Sequence, residues 1–326
     1  MIENNITIEE IADLLNKNDN LLFICHIRPD GDTLAGAYAL KRALEKKGKK
    51  IIVTSADRVS SRLSFLCDDI LYLPDEIPAD FTPRLVVSID VASVTMLGDC
   101  YKLLSLATSI KIDHHNGNEN FADYNYTEED SASCSEIIYD IIKQFTDFDD
   151  RICELLYAGI SFDTGCFKHS NVTAKTHEKA AYLISKGVDS ASVNQKLFGN
   201  KTQKEIEALK MAYNNIEFLQ GGKMAVICIT NEMRKMHELS EDDIADLAQI
   251  PIEIEGVLVG AIIKEKGDSP NNFKISMRSR QGINAGEICK KLNGGGHICA
   301  AGGLVFAQSK EEAVKKVFDA ALSKLN

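Results

Sequence analysis

Leu21-Leu22-Phe23-Ile24-Cys25-His26-Ile27-Arg28-Pro29-Asp30-Gly31-Asp32 decides how the rest of the chain is read. Its first five residues are apolar throughout, the pattern of a short strand buried on both faces. Ionisable groups begin where that strand ends, and in open α/β sheets the carboxyl edge is where ligands sit. Pro29 and Gly31 break regular structure, which lets Asp30 and Asp32 point into one small volume. Two carboxylates that close repel unless a cation joins them. His26, Asp30 and Asp32 therefore point to a divalent metal, with a plain Asp-Gly turn as the competing reading of this stretch alone.

Around it, residues 8–15 have the spacing of an amphipathic helix, with Thr7 as N-cap and Glu10 completing a capping box. Residues 33–47 are helical in pattern, with Leu34, Ala37, Leu40, Ala43 and Leu44 on the buried side and Gly48 at the end. Residues 50–54 form the next strand, so strand, helix and strand make a right-handed crossover unit. A third strand over 84–90 ends in Asp90. A fourth, over 109–115, ends in Asp113-His114-His115. Residues 153–162, strand or helix, stop at Asp163-Thr164-Gly165. A lone aspartate after a strand is usually a turn former. Four such endings on the edge where a parallel sheet presents its loops are hard to ascribe to chance.

Residues 131–143 and 173–186 are helical in pattern, the second closing at Gly187. Residues 188–220 are helical and charged, closed by Gly221-Gly222, and strands come next at 224–229, 256–264 and 272–278. The expected organisation is a catalytic domain over 1–187, a helical connector over 188–223 and a smaller domain over 224–326. In the last, Gly294-Gly295-Gly296-His297 exposes backbone N–H groups. A helix starting at His297 would offer free amides to an anion. With Arg278 at a strand end in the same domain, phosphate binding is favoured over a flexible connection.

The chain has 326 residues, 44% hydrophobic and 26% charged; 37 Lys and Arg against 48 Asp and Glu give a formal charge of -11. That argues against duplex nucleic acid, which needs many cationic contacts, but not against a small phosphate substrate, because bound metal reverses the local field. The nine cysteines are scattered without a Cys-x-x-Cys pair, which argues against a zinc knuckle and for thiols in a reducing compartment. No basic segment and apolar core come after Met1, and no apolar run approaches the ~20 residues of a membrane span, so a cytoplasmic location is expected.

Together these residues resemble the DHH phosphoesterase family, named for the triplet Asp113-His114-His115. His26-x-x-Pro29-Asp30-Gly31-Asp32 is similar to its first motif, Asp90 to its second, the triplet to its third and Asp163-Thr164-Gly165 to its fourth. Met277-Arg278-Ser279 and Gly294-Gly295-Gly296-His297 resemble the DHHA1 substrate domain that often accompanies it. Ala35-Gly36 and Met96-Leu97-Gly98 depart from the Gly-Ser and the arginine that the family often carries near the first and second motifs.

The resemblance implies an α/β fold: a DHH domain with a mainly parallel sheet flanked by helices, then a smaller α/β DHHA1 domain, with the active site in the cleft between them. It implies two divalent ions, one on His26, Asp30 and Asp90, the other on Asp32, Asp90, His114 and Asp163, with Asp90 bridging. Imidazole plus carboxylate without thiolate suits Mn²⁺, with Mg²⁺ or Co²⁺ as options. Two ions ~4 Å apart can activate a shared water and stabilise the charge that develops at phosphorus. His115 reaches the phosphate, Asp113 orients its neighbours, and Arg278, Gly295, Gly296 and His297 clamp a phosphate or the terminal nucleotide. His169, His177 and His237 lie outside the motifs and read as surface residues, with His169 close enough in sequence to Asp163 to approach substrate.

Within the family the chain looks most like the nanoRNases that also act on 3′-phosphoadenosine-5′-phosphate. The expected function is hydrolysis of short oligoribonucleotides to 5′-mononucleotides and dephosphorylation of that bisphosphate. A cyclic di-AMP or linear dinucleotide phosphodiesterase is the alternative, and a non-catalytic nucleotide-binding module ranks below both. The implied partners are short RNA or a small nucleotide, not duplex DNA or membrane; a homodimer is left open.

Overall fold

Alternate residues of the first strand feed two different cores, which is what a five-residue strand without a polar side chain requires. Leu21, Phe23 and Cys25 pack on one side and Leu22 and Ile24 on the other, all fully buried. The computed structural model describes residues 5–115, 117, 119–267, 269–280, 282–296 and 298–325, without the side chains of residues 242, 245 and 246. It forms two compact units, Met1–Asn200 and Lys201–Asn326.

The first unit opens with α1 (Ile8–Lys17). The Thr7 hydroxyl accepts from Glu10 N–H and the Glu10 carboxylate accepts from Thr7 N–H, the expected capping box. Then come β1 (Leu21–Cys25), α2 (Gly31–Glu45), β2 (Ile51–Thr54), β3 (Leu85–Ile89), β4 (Thr108–Asp113), β5 (Tyr124–Thr127), α3 (Cys134–Lys143), α4 (Asp150–Asp163), α5 (Ala174–Ser185) and α6 (Ser190–Asn194). The five strands form one wholly parallel sheet in the order β2-β1-β3-β4-β5. Its two faces are covered unequally. One meets helices through Leu34, Ala37, Leu40, Ile138, Leu156 and their neighbours. The other meets the 3-10 segment Val94–Leu106 through Leu97 and Cys100.

Two expectations change here. α2 starts two residues earlier than the apolar spacing indicated, because the Asp30 side chain accepts from the N–H groups of Asp32 and Thr33 and caps the helix ahead of its first apolar residue. The run ending at Asp163 is a helix, so three of the four metal-capable endings lie at the sheet edge and the fourth is a helix C-terminus. It is buried nearly all round because α2, α3 and α5 surround it, which hides its 3.6-residue period.

Gly159 in α4 permits the closest of these approaches. A Cβ there would lie 1.9 Å from Ser135 Oγ and 2.8 Å from Asp32 Oδ1. Gly159→Ala should cost about 1–3 kcal/mol by overpacking, read as a lower denaturant midpoint at unchanged slope; an unchanged midpoint would show that the helices separate freely.

The second unit contains α7 (Gln203–Asn214), β6 (Ile216–Leu219), β7 (Met224–Ile229), α8 (Asn231–Met236), α9 (Ile250–Glu253), β8 (Val259–Lys266), β9 (Ser269–Ser279), α10 (Ala285–Lys290), β10 (Gly295–Gly296), β11 (Ala300–Phe306) and α11 (Lys310–Leu325). Its sheet runs β10-β11-β9-β8-β7-β6, with β7 and β8 parallel and the other pairs antiparallel. Met224, Val226 and Cys228 of β7 face a core with α10 and α11; Ile227 and Ile229 face another with α7.

The expected connector over 188–223 is divided between the units. Its last part, Ile216–Leu219, is a strand rather than helix because it pairs edge-on with β7. The glycine run is also not the start of a helix. Gly295 and Gly296 pair antiparallel with Gly302 and Ala301, and a Cβ at Gly296 would lie 2.6 Å from Ala301 Cα. Close approach of the two strands requires glycine at 296, and at 294 where a Cβ would lie 2.0 Å from Gly302 O, while Gly295 faces open space. His297 lies outside the described residues. No helix among the described residues is long and apolar enough to cross a membrane.

Candidate metal centre

β1, β3 and β4 run side by side in one direction, so the chain leaves all three at the same edge of the sheet. His26 and Asp30 come after β1, Asp90 comes after β3, and β4 ends on Asp113 with His114 and His115 next in the chain. Asp32 comes from the first turn of α2 and Asp163 is the last residue of α4. Asp90 sits in a left-handed backbone conformation, φ 63°, with its N–H donating to Ile112 O at 2.8 Å. Non-glycine residues adopt that conformation rarely, and it turns the side chain into the edge.

Asp90 lies at the centre. Its Oδ2 is 3.7 Å from His26 Nε2, and its Oδ1 is 3.5 Å from His114 Nε2 and 3.6 Å from His115 Nδ1. His26 Nε2 is also 3.6 Å from Asp30 Oδ1, and His114 Nε2 is 3.1 Å from Asp163 Oδ2. Three sets have ligand atoms within 4.8 Å of one another: His26, Asp30 and Asp90; Asp32, His114 and Asp163; and Asp90, His114 and His115.

The donor chemistry fits a cation. His26 Nδ1 is 2.8 Å from Ile27 O and His114 Nδ1 is 3.1 Å from Ser131 O. A carbonyl only accepts, so each Nδ1 carries the proton and each Nε2 is free to present a lone pair, as metal-binding imidazoles do. Asp90 Oδ1 and His114 Nε2 are buried without an aligned hydrogen bond. These groups could hold metal ions. Without metal, protons neutralise them. Burial opposes charge on both imidazoles, but Asp30 and Asp90 outweigh it and lift His26 to about 9, while Asp163 and Asp90 lift His114 to about 12.

The carboxylates diverge by environment. Asp32 is wholly buried; burial and the charges of Asp90 and Asp163 push its carboxyl well above the usual range. It is held by the first turn of α3, with Oδ2 accepting from Cys134 N–H at 2.6 Å and Oδ1 from Ser135 N–H at 3.0 Å. That helix terminus favours negative charge. Asp163 is raised by burial and by Asp90. Burial also opposes ionisation of Asp30, but its hydrogen bond from His26 outweighs this and lowers it.

Asp113 belongs to none of the three sets. It is fully buried, its Oδ1 lies 2.8 Å from His115 Nδ1 and its Oδ2 lies 3.9 Å from Lys111 Nζ. It thereby orients the ring of His115 through Nδ1.

Some supporting groups carried little signal in the sequence. Ser133 caps α3 by accepting from Glu136 N–H, and the Ser133-x-x-Glu136 spacing was the available clue to that helix start. Asn171 had none. Its Nδ2 donates to Ala132 O at 2.9 Å and Asp163 O at 3.3 Å, tying the end of α4 to the segment that presents Ser131 O to His114. Asn171→Ala should therefore weaken Mn²⁺ binding about 10- to 100-fold, the usual cost of losing outer support at a metal site. Calorimetric titration checks this, and unchanged affinity would deny Asn171 the role.

In the second unit Arg278 is a half-buried residue of β9. Its Nη1 donates to Met277 O at 3.1 Å, it has no acidic ion-pair partner among the described residues, and burial lowers its pKa. Gly295 and Gly296 make up β10. His169 is exposed, with Nδ1 3.2 Å from Asp163 O; His177 is exposed; and His237 pairs with Glu207 at 2.9 Å.

Residues 20–160 match the DHH family, N-terminal domain, and residues 221–324 match the DHHA1 domain. The probable bifunctional oligoribonuclease and PAP phosphatase NrnA of Streptococcus mutans is 27% identical over 299 residues, covering 91% of this chain and 93% of that protein. The bifunctional oligoribonuclease and PAP phosphatase NrnA of Thermus thermophilus is 25% identical over 323 residues, covering 97% and 93%. The crystal structure of an exopolyphosphatase-related protein from Bacteroides fragilis shares the fold, with TM-score 0.89 and 23% identity, covering 98% of this chain and 96% of that one.

Proposed function

Because the chain belongs to the DHH/DHHA1 phosphoesterase family, we propose that it hydrolyses short oligoribonucleotides to 5′-mononucleotides and removes the 3′-phosphate of 3′-phosphoadenosine-5′-phosphate. The observation that carries this reading is that three overlapping donor sets meet at one sheet edge: His26 and Asp30 share Asp90 with His114 and His115, and His114 is shared in turn with Asp32 and Asp163. The relatives of similar length that bear both activities in their names support the substrate class.

In this reading His26, Asp30 and Asp90 hold one divalent ion and Asp32, Asp90, His114 and Asp163 a second, with manganese favoured by the mixed imidazole and carboxylate donors. Such a pair supplies an activated water and positive charge beside phosphorus. The residues themselves do the placing. Asp90 sets the spacing of the two donor sets. Ile27 O and Ser131 O keep the proton of each ligating imidazole on Nδ1. His115, its Nδ1 turned to Asp113, offers Nε2 to a phosphate oxygen and steadies charge as it develops. Arg278 supplies a guanidinium for a second phosphate or the terminal nucleotide, and Gly295, Gly296 and His297 complete the clamp.

Arg278→Ala should lower kcat/KM on di- and trinucleotides about 10- to 100-fold, the usual worth of a charge-assisted hydrogen bond. Unchanged rates on every short substrate would remove Arg278 from the site. The reading as a whole is tested by offering 5′-labelled di- to pentanucleotides, 3′-phosphoadenosine-5′-phosphate and cyclic di-AMP in parallel, with Mn²⁺ and with chelator. Fastest turnover of the first two, abolished by chelator, is expected. Fastest turnover of cyclic di-AMP would favour the cyclic dinucleotide phosphodiesterase, and nucleotide binding without turnover would favour a regulatory module.

A further inference from the structure

β2 ends at the same sheet edge as β1, β3 and β4, yet no residue at its end belongs to the three donor sets. What that end supplies is hydrogen bonds to the loop between His26 and Asp30. The hydroxyl of Ser55, a fully buried residue, donates to His26 O at 2.9 Å and accepts from Asp57 N–H at 3.3 Å. Asp57 Oδ2 in turn accepts from Arg28 N–H at 2.8 Å. Between them Ile27 N–H donates to Met96 O at 2.7 Å. Gly98 lets these segments close on one another: a Cβ there would lie 2.7 Å from Ile27 Cγ2 and 2.9 Å from Ala56 Cβ. Three consecutive backbone groups of the ligand loop are thus tied by segments that contribute no ligand.

The tie matters most at Arg28. It stands midway between two ligand residues, at φ 51°, a conformation that only about a few per cent of non-glycine residues adopt. Pro29 disfavours the right-handed alternative for the residue before it. Without a restraint Arg28 would therefore settle in extended backbone. A change of roughly 100° or more in φ would swing Asp30 away from His26, whose Nε2 lies 3.6 Å from Asp30 Oδ1. Strain of this kind persists only where surrounding contacts hold it, and the Asp57 carboxylate holds the N–H of the strained residue itself.

We infer that Asp57 is a positioning residue of the metal centre: by keeping Arg28 left-handed it sets His26 and Asp30 at the spacing one ion requires. The inference rests on the reading of His26, Asp30 and Asp90 as the ligands of one ion. Its size follows from populations. Without the carboxylate Arg28 is left-handed a few per cent of the time, and binding weakens by the inverse of that fraction, about 10- to 100-fold. Glycine takes positive φ about as readily as negative, so glycine at 28 loses only about twofold.

Calorimetric titration of the full-length chain with Mn²⁺ tests this. Wild type should take up two ions. In Asp57→Ala one binding step should weaken about 10- to 100-fold while the other holds. Asp57→Asn keeps an acceptor oxygen and should bind as wild type does. Arg28→Gly in the Asp57→Ala background should restore most of the lost affinity. In chelator, hydrogen exchange of the Arg28 amide should quicken in Asp57→Ala but not in Asp57→Asn, a readout that needs no metal. Two unchanged binding steps in Asp57→Ala, equal weakening of both, or failure of Arg28→Gly to restore affinity would overturn the role of Asp57 and leave the donor sets standing. A wild-type chain that takes up no manganese would instead overturn the donor sets, and this inference with them.

Discussion

Asp90→Ala should lower kcat/KM on a dinucleotide by about a thousandfold or more, because in the proposed arrangement Asp90 is the ligand that both metal ions share. The expected loss reflects the several kcal/mol that metal ions supply to a phosphoryl transition state, at 1.36 kcal/mol per tenfold in rate. Asp90 lies within 3.7 Å of His26, His114 and His115. Loss of folding is excluded separately. In the metal-free protein Asp90 pushes Asp32 and Asp163 upward but also holds the charge on His26 and His114, so its removal has opposing effects on stability. The variant should therefore still melt cooperatively in chelator while being inactive in manganese. Near-normal rates would remove Asp90 from the bridging position, whatever the melting behaviour.

Stripping the metal should abolish hydrolysis and make stability fall with rising pH. His26 at about 9 and His114 at about 12 hold protons in the metal-free fold that the unfolded chain releases near 6.5. Their contribution is full below pH 6.5 and is lost as pH climbs through the folded values. Asp32, raised in the fold, adds a penalty in the same direction, since the unfolded chain ionises it freely. Chelated protein should therefore melt progressively lower from pH 7 to pH 9. Metal binding displaces the same protons, so Mn²⁺ affinity should rise about ten- to a hundredfold per pH unit across neutrality. Saturation at 100 to 1,000 times the dissociation constant adds about 3–4 kcal/mol, a rise in melting temperature of about 5–10 °C. Differential scanning calorimetry with and without Mn²⁺ at several pH values checks both signs; stability of the chelated protein that rises over this range would contradict the assignment of charged imidazoles.

Much of the site was legible because a parallel sheet imposes it. Apolar runs ending in His26, Asp90 and Asp113-His114-His115 needed only the rule that such strands share a carboxyl edge. Asp163 was found as a residue but its element stayed open between strand and helix, because a helix enclosed by three others shows no polar face and is hard to tell from a buried strand. The start of α2 was misread for the opposite reason: Asp30, taken as a ligand candidate, also caps the helix. β6 went unseen because its three half-exposed residues and the exposed Phe218 gain strand character only from pairing with β7. The glycines near residue 295 were read for their exposed amides, whereas the fold uses the missing side chains of Gly294 and Gly296 to bring β10 against β11. Asn171 and the amides of Cys134 and Ser135 left no local pattern, since their partners are contributed by distant segments.

The most direct measurement is an anomalous difference map from crystals grown with Mn²⁺. Two peaks about 4 Å apart are expected, one among His26, Asp30 and Asp90 and the other among Asp32, Asp90, His114 and Asp163. A map without density between those side chains, or with manganese only at other surfaces, would contradict the claim that these carboxylates and imidazoles form a phosphoesterase centre.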